Sequence, residues 1–179
     1  VGPEGVRVGG VGAPLDQRGW GGTGSRDSSR KRDIQQGADD NASGTGGGMG
    51  LGRRFGGLTE KPKRSLIFMC FSGEELGLFG SDFYSKHPIV PIEKTAAMIN
   101  MDMIGTLNVA APTVLLEGAA VSQELMDDRS DAARDYTSLT VQTSLNPFAS
   151  DHVPFIDAGL PALLTIAGPD RAHTNIHTA

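Results

Sequence analysis

The sequence predicts an α/β domain of three layers, a mixed and largely parallel sheet flanked by helices, on three observations. Short continuous apolar runs, SLIFMCF (65–71), AAMINMDM (96–103) and PALLTIA (161–167), have the length and texture of strands covered on both faces. Stretches of helical character alternate with these runs, the order that lays helices over a parallel sheet. The chain of 179 residues is long enough to bury a core and short enough for one domain.

Taken in order, residues 1–36 show no sustained period of 2 or 3.6. They are expected to be mostly loop, with at most one short strand near 6–11. Residues 42–55 have helical features: Asp40 or Asn41 could cap, and Met49, Leu51 and Phe55 are apolar. Six glycines between 44 and 52 oppose that helix by about 0.8–1 kcal/mol each, so tertiary packing must hold it. The run 65–71 reads as a buried strand that encloses Cys70, and 75–86 as a helix ended by Pro88. Strands are expected at 96–103 and 113–117, then a helix over 122–136 with Ser122 as cap and Leu125, Met126, Ala132 and Ala133 inward. A strand at 139–143, a short helix at 152–158 and a buried strand at 161–167 complete the series. Of 25 glycines, 18 fall in the first 57 residues. The expected organisation is one domain, with an irregular Gly-rich segment over 1–36 and a core over 37–179.

Composition excludes several functions. No apolar run reaches the 18 residues of a membrane helix. A net charge of -5 offers no general attraction to nucleic acid, and the basic cluster 26–33 is interrupted by acids in a Gly/Ser context. One cysteine rules out an internal disulfide and a thiolate metal cage. The opening residues lack the pattern of a signal peptide.

Ligands of open α/β sheets bind beyond the carboxyl ends of the strands. There the sequence places Ser72-Gly73-Glu74-Glu75 after one strand, Asp102 at the end of another, and Asp170, His173 and His177 after the last. Asp39-Asp40-Asn41 precedes the Gly-rich helix. Carboxylates crowded at one cleft repel unless a cation lies among them. Carboxylate and imidazole without thiolate suit zinc, with manganese or cobalt as alternatives. Adjacent Glu74 and Glu75 point in different directions in an extended segment, so one can bind metal while the other serves as general base. Without a partner motif, each residue has a plainer role: Asp40 a cap, Glu74-Glu75 a helix start, His177 a tail residue.

GADDNASG (37–44), FSGEELGLFGS (71–81), INMDMIG (99–105), SDHVPFIDAGLPAL (150–163) and NIHTA (175–179) occur in the order seen in the di-zinc aminopeptidases. The chain thus resembles peptidase family twenty-eight of clan MH, which includes bacterial leucyl aminopeptidases and glutamate carboxypeptidases. The resemblance implies a zinc-peptidase-like fold, incomplete at the C-terminus, and a chain that is a fragment of the family's domain. It implies two zinc ions, with Asp40 bridging them through a residue joined to Asn41 by a cis peptide. Glu74 would be the general base, Glu75 and His177 terminal ligands of one zinc, and Asp102 a ligand of the other. It further implies a peptide substrate and an extracytoplasmic or secreted location.

One departure stands out. The family carries a ligand histidine in a Gly-Ala-His-x-Asp segment, and the match here is Gly12-Ala13-Pro14-Leu15-Asp16. Proline ligates nothing, so the Asp102 site loses its nitrogen ligand and one zinc becomes the expectation, unless another group such as His173 completes the site. Asp16 matches the acid that orients the lost histidine. The expected function is a zinc-dependent exopeptidase of aminopeptidase type, catalysing peptide hydrolysis with a metal-activated water. The alternative is a catalytically impaired or non-catalytic binding module on the same fold. A serine hydrolase using Ser150 or Ser72 lacks a triad arrangement and a nucleophile elbow.

Overall fold

The computed structural model describes residues 7–20, 24–26, 33–148, 150–168 and 176–178. His173, Asp170 and most of the basic cluster at 26–33 lie outside the described residues. Six strands form one sheet: β1 (Val8–Pro14), β4 (Leu66–Phe71), β5 (Thr95–Met101), β6 (Thr113–Glu117), β7 (Thr140–Ser144) and β8 (Ala162–Ala167). A two-stranded ribbon of β2 (Gly19–Trp20) and β3 (Ile34–Gln35) stands apart from it. The order across the main sheet is β4-β1-β5-β8-β6-β7, and only β6 and β8 run antiparallel.

Among the described residues four α-helices cover the sheet: α1 (Gly44–Gly56), α2 (Phe79–Lys86), α3 (Gln123–Tyr136) and α4 (Val153–Asp157). Side chains of neighbouring strand residues point to opposite faces. Phe71, Met98 and Ala162 face α2 and α4, packing with Tyr84, Phe155 and Leu160. Ile99, Leu116 and Leu163 face the other way and pack with Leu125 and Met126 of α3. Phe68 and Met101 share that second face and lie under Gly52 and Gly47 of α1. The three-layer α/β arrangement is therefore as the sequence predicts, and β5, β6, α3 and β8 fall within a residue or two of their expected bounds.

Three details differ. Residues 8–14, expected as at most a short strand, form β1, which lies between β4 and β5. Its glycines let the strands and side chains close in: a Cβ on Gly12 would sit 2.6 Å from Phe71. Low hydrophobicity here reflects close approach, which a periodicity test cannot register. Second, β4 is an edge strand and Cys70 is exposed, because nothing pairs beyond it among the described residues. Third, α2 starts at Phe79, leaving Glu74 and Glu75 in the preceding loop. The Gly-rich helix α1 forms as expected, and two glycines explain why it can: a Cβ at Gly44 would meet the Met101 carbonyl at 2.1 Å, and one at Gly47 would meet Ile104 at 2.7 Å. The helix rests on the sheet at a distance that side chains would prevent.

Candidate metal centre

At the carboxyl ends of β1, β4, β5 and β8 a cleft of about 840 Å3 opens, and its wall includes Asp40, Glu74, Glu75, Asp102 and His177. All five predicted site residues thus meet in one place. Asp40 arrives on a helical turn (Ala38–Ser43) that is broken at Asp40 and Asn41, whose peptide bond is cis. Asn41 fastens this break. Its side chain is buried and donates to the carbonyls of Pro14 (3.3 Å) and Met101 (3.0 Å), while its Oδ1 accepts from the amides of Gly44 and Met103, both at 3.0 Å. One amide thereby ties the ends of β1 and β5 to the start of α1.

Glu74 and Glu75 are held from behind by Asp16. Its Oδ1 accepts the Glu74 amide at 3.1 Å and its Oδ2 the Glu75 amide at 3.4 Å. His177 has a left-handed backbone (φ 57), and its carbonyl accepts from the Arg26 amide (3.0 Å) and the Gln35 side chain (2.9 Å). Asp102 follows β5, accepts the Ser150 hydroxyl at 2.7 Å, and Ser150 in turn accepts from Asn100 at 2.8 Å.

One ligand-type atom each from Asp40, Glu75 and His177 lie within 4.8 Å of one another. His177 Nε2 is 3.0 Å from Asp40 Oδ2 and 3.2 Å from Glu75 Oε1. Those two carboxylates push the His177 imidazole up to about 9, so a proton stands where three donors converge. The neighbouring acids lack such relief. Burial, then Asp102 and Glu75, push Glu74 up to about 9, and burial pushes Asp102 up to about 7 against the Ser150 hydrogen bond. Asp102 Oδ1 is buried without a hydrogen bond. Three convergent donors and buried acids unwilling to ionise are the environment a divalent cation relieves, and the donor set of two carboxylates and an imidazole fits zinc.

Pro14 is buried at the end of β1, with its carbonyl engaged by Asn41 and Thr45. Among the described residues His177 is the one histidine on the cleft wall. His152 lies beneath that wall: the side chain is wholly buried, 3.8 Å from Glu117, and burial lowers its imidazole to about 4. Asp151 beside it accepts the Ser81 hydroxyl. His87 is on the surface, stacked on Phe83.

Sequence reasoning did not single out Arg18, Gln35 or Glu117. Arg18 Nε lies 2.9 Å from Glu75 Oε2, and Glu117 lines the cleft with its Oε1 on the Phe148 amide. None of the three has a motif or spacing that marks it, because each acts through contacts more than 25 residues away in sequence.

Residues 11–179 match the family model described as Peptidase family M28. Aminopeptidase YwaD of Bacillus subtilis is 28% identical over 136 residues, covering 75% of this chain and 30% of that protein. Leupeptin-inactivating enzyme 1 of Streptomyces exfoliatus is 29% identical over 142 residues, covering 77% of this chain and 31% of that protein. The chain spans about a third of these relatives. Among solved structures, the zinc aminopeptidase BSAP of Bacillus subtilis superposes with a TM-score of 0.73 at 24% identity, over 97% of this chain and 40% of that one. A glutaminyl cyclase of Bacteroides thetaiotaomicron superposes with a TM-score of 0.77 at 19% identity, over 98% of this chain and 65% of that one. Family match, sheet order and the meeting of the five motif residues agree, and the chain belongs to peptidase family M28.

Proposed function

We propose that the chain is the metal-binding part of a zinc-dependent exopeptidase of aminopeptidase type. The observation that carries this is the convergence of Asp40, Glu75 and His177 at a cleft edge, with Glu74 beside them. Asp40, Glu75 and His177 would hold one zinc ion. Pro14 offers Asp102 no imidazole and no other histidine among the described residues lies on the cleft wall, so the proposed stoichiometry is one. A zinc ion in this place supplies positive charge that favours ionised neighbouring acids and polarises a scissile carbonyl.

The remaining work falls to the chain's own groups. Glu74, half-buried in the cleft, accepts a proton from the attacking water at its carboxylate and returns it to the leaving amine. Asp16 keeps that carboxylate in place by holding the Glu74 amide. The acids of the cleft attract the free α-amine of a peptide, which favours release of N-terminal residues over C-terminal ones.

The test is zinc content by elemental analysis, paired with hydrolysis of aminoacyl chromogenic substrates with and without a chelator. One zinc per chain and chelator-sensitive turnover are expected, with both lost in Asp40→Asn. Zinc bound without turnover would favour the binding-module alternative. No zinc would refute the site. Because a glutaminyl cyclase shares the fold, an N-terminal glutaminyl peptide belongs in the substrate set, and its cyclisation without peptide hydrolysis would refute the peptidase assignment.

A further inference from the structure

We infer that Arg18 is a positioning residue that sets the cation affinity of this centre, presenting one oxygen of Glu75 and withdrawing one unit of negative charge. The inference rests on the metal-site assignment above. Segment 15–18 grips Glu75 twice, through Asp16 on its backbone amide and through Arg18 on its carboxylate. The carboxylate is divided between two neighbourhoods. Oε2 lies 2.9 Å from Arg18 Nε, while Oε1 faces His177 Nε2 at 3.2 Å. Only Oε1 is therefore offered to the Asp40–His177 pair.

The guanidinium has a prepared seat. It lies against the bare backbone of Gly24, where a Cβ would fall 1.9 Å from Nη1 and 2.4 Å from Cζ. Gly24 also has φ +90, a conformation that side chains rarely adopt. The adjoining Ser25 and Arg26 belong to the set of groups around the His177 carbonyl. The excursion between β1 and the Asp40 turn thus supports two of the three donors from one side.

The electrostatic consequence has a definite sign. Two ionised carboxylates and a neutral imidazole carry two negative charges, and Arg18 halves that sum. A divalent cation at Oε1 would be repelled by a positive charge across the width of one carboxylate group. Even with water-like screening, a divalent and a monovalent charge about 6 Å apart repel by roughly 1.4 kcal/mol, which is a factor of about ten in affinity. Loss of orientation opposes this gain. The Arg18→Gln variant limits that loss, since its amide nitrogen is attached at the same chain position as the arginine Nε.

The experiment measures zinc and cobalt affinity of the chain by competition with a chromophoric chelator, for the wild type, Arg18→Gln and Arg18→Lys. Far-UV circular dichroism checks the fold, and Arg18→Met serves as the neutral variant should Gln fail to fold. Arg18→Gln should bind about fivefold to tenfold more tightly than the wild type, and Arg18→Lys within threefold of it. Unchanged or weaker binding by the neutral variants, with metal bound by the wild type, would overturn the inference and leave the centre intact. Tightening in Arg18→Lys equal to that in Arg18→Gln would also overturn it, since charge would not be the cause. Absence of metal in every variant would remove the centre and the inference together, whereas metal bound only by the neutral variants would support the inference.

Discussion

Replacing Asn41 by leucine tests the joint on which the Asp40 turn depends. The side chain is 1% exposed and makes four hydrogen bonds, two donated and two accepted, at 3.0–3.3 Å. A buried hydrogen bond contributes about 1 kcal/mol net, and a backbone group left without a partner costs more than the bond was worth. Pro14 keeps a second donor in Thr45, so its carbonyl suffers least. Leucine recovers some of the loss by apolar burial, leaving an expected destabilisation of about 3–4 kcal/mol. Asn41→Asp separates the two halves of the amide. Its acceptor oxygen still serves the Gly44 and Met103 amides, but the second oxygen meets two carbonyls, and protonation of the carboxyl at low pH should recover part of the loss. Urea unfolding of the metal-free chain gives the value from the midpoint at constant slope. A loss under about 1 kcal/mol for Asn41→Leu would refute the claim that this one amide joins β1, β5 and α1.

Three further predictions rest on the same structure. In α1, a Cβ at Gly46 or Gly50 meets nothing within 4 Å, so alanine at either should raise stability by about 0.8–1 kcal/mol; Gly44→Ala should lower it, and equal effects at all three would refute the packing account. In the metal-free chain Glu74 at about 9, Asp102 at about 7 and His177 at about 9 all lie above their unfolded values, so the folded state binds more protons and stability should fall as pH rises from 6.5 to 9. Thermal melting measures this, zinc should flatten the slope, and a midpoint that rises with pH in that window would contradict the assignment. Gln35→Leu removes one of the donors to the His177 carbonyl and leaves the Arg26 amide in place, and zinc affinity should fall by up to roughly tenfold, the equivalent of one hydrogen bond of about 1.4 kcal/mol; unchanged affinity would show that Gln35 does not position the histidine.

The sequence by itself determined the layers and pointed to the five residues that meet at the cleft. Buried strands such as β6 and β8 declare themselves by apolar continuity, and α3 by its inward Leu125 and Met126. Asp40, Glu74, Glu75, Asp102 and His177 were legible because each sits in a short motif, and Glu74, Glu75 and Asp102 directly follow strand ends, where topology brings residues together. Tertiary structure decided what local pattern could not express. Strand β1 is woven into the sheet through glycines whose worth lies in what they leave out, and Cys70 is exposed because β4 is an edge. Arg18 and Gln35 reach Glu75 and His177 across 57 and 142 residues, so their partners exist only once the chain has closed. The sequence names the donors, because donor chemistry resides in residue identity. Charge balance and orientation around them depend on distance, and distance is set by the fold.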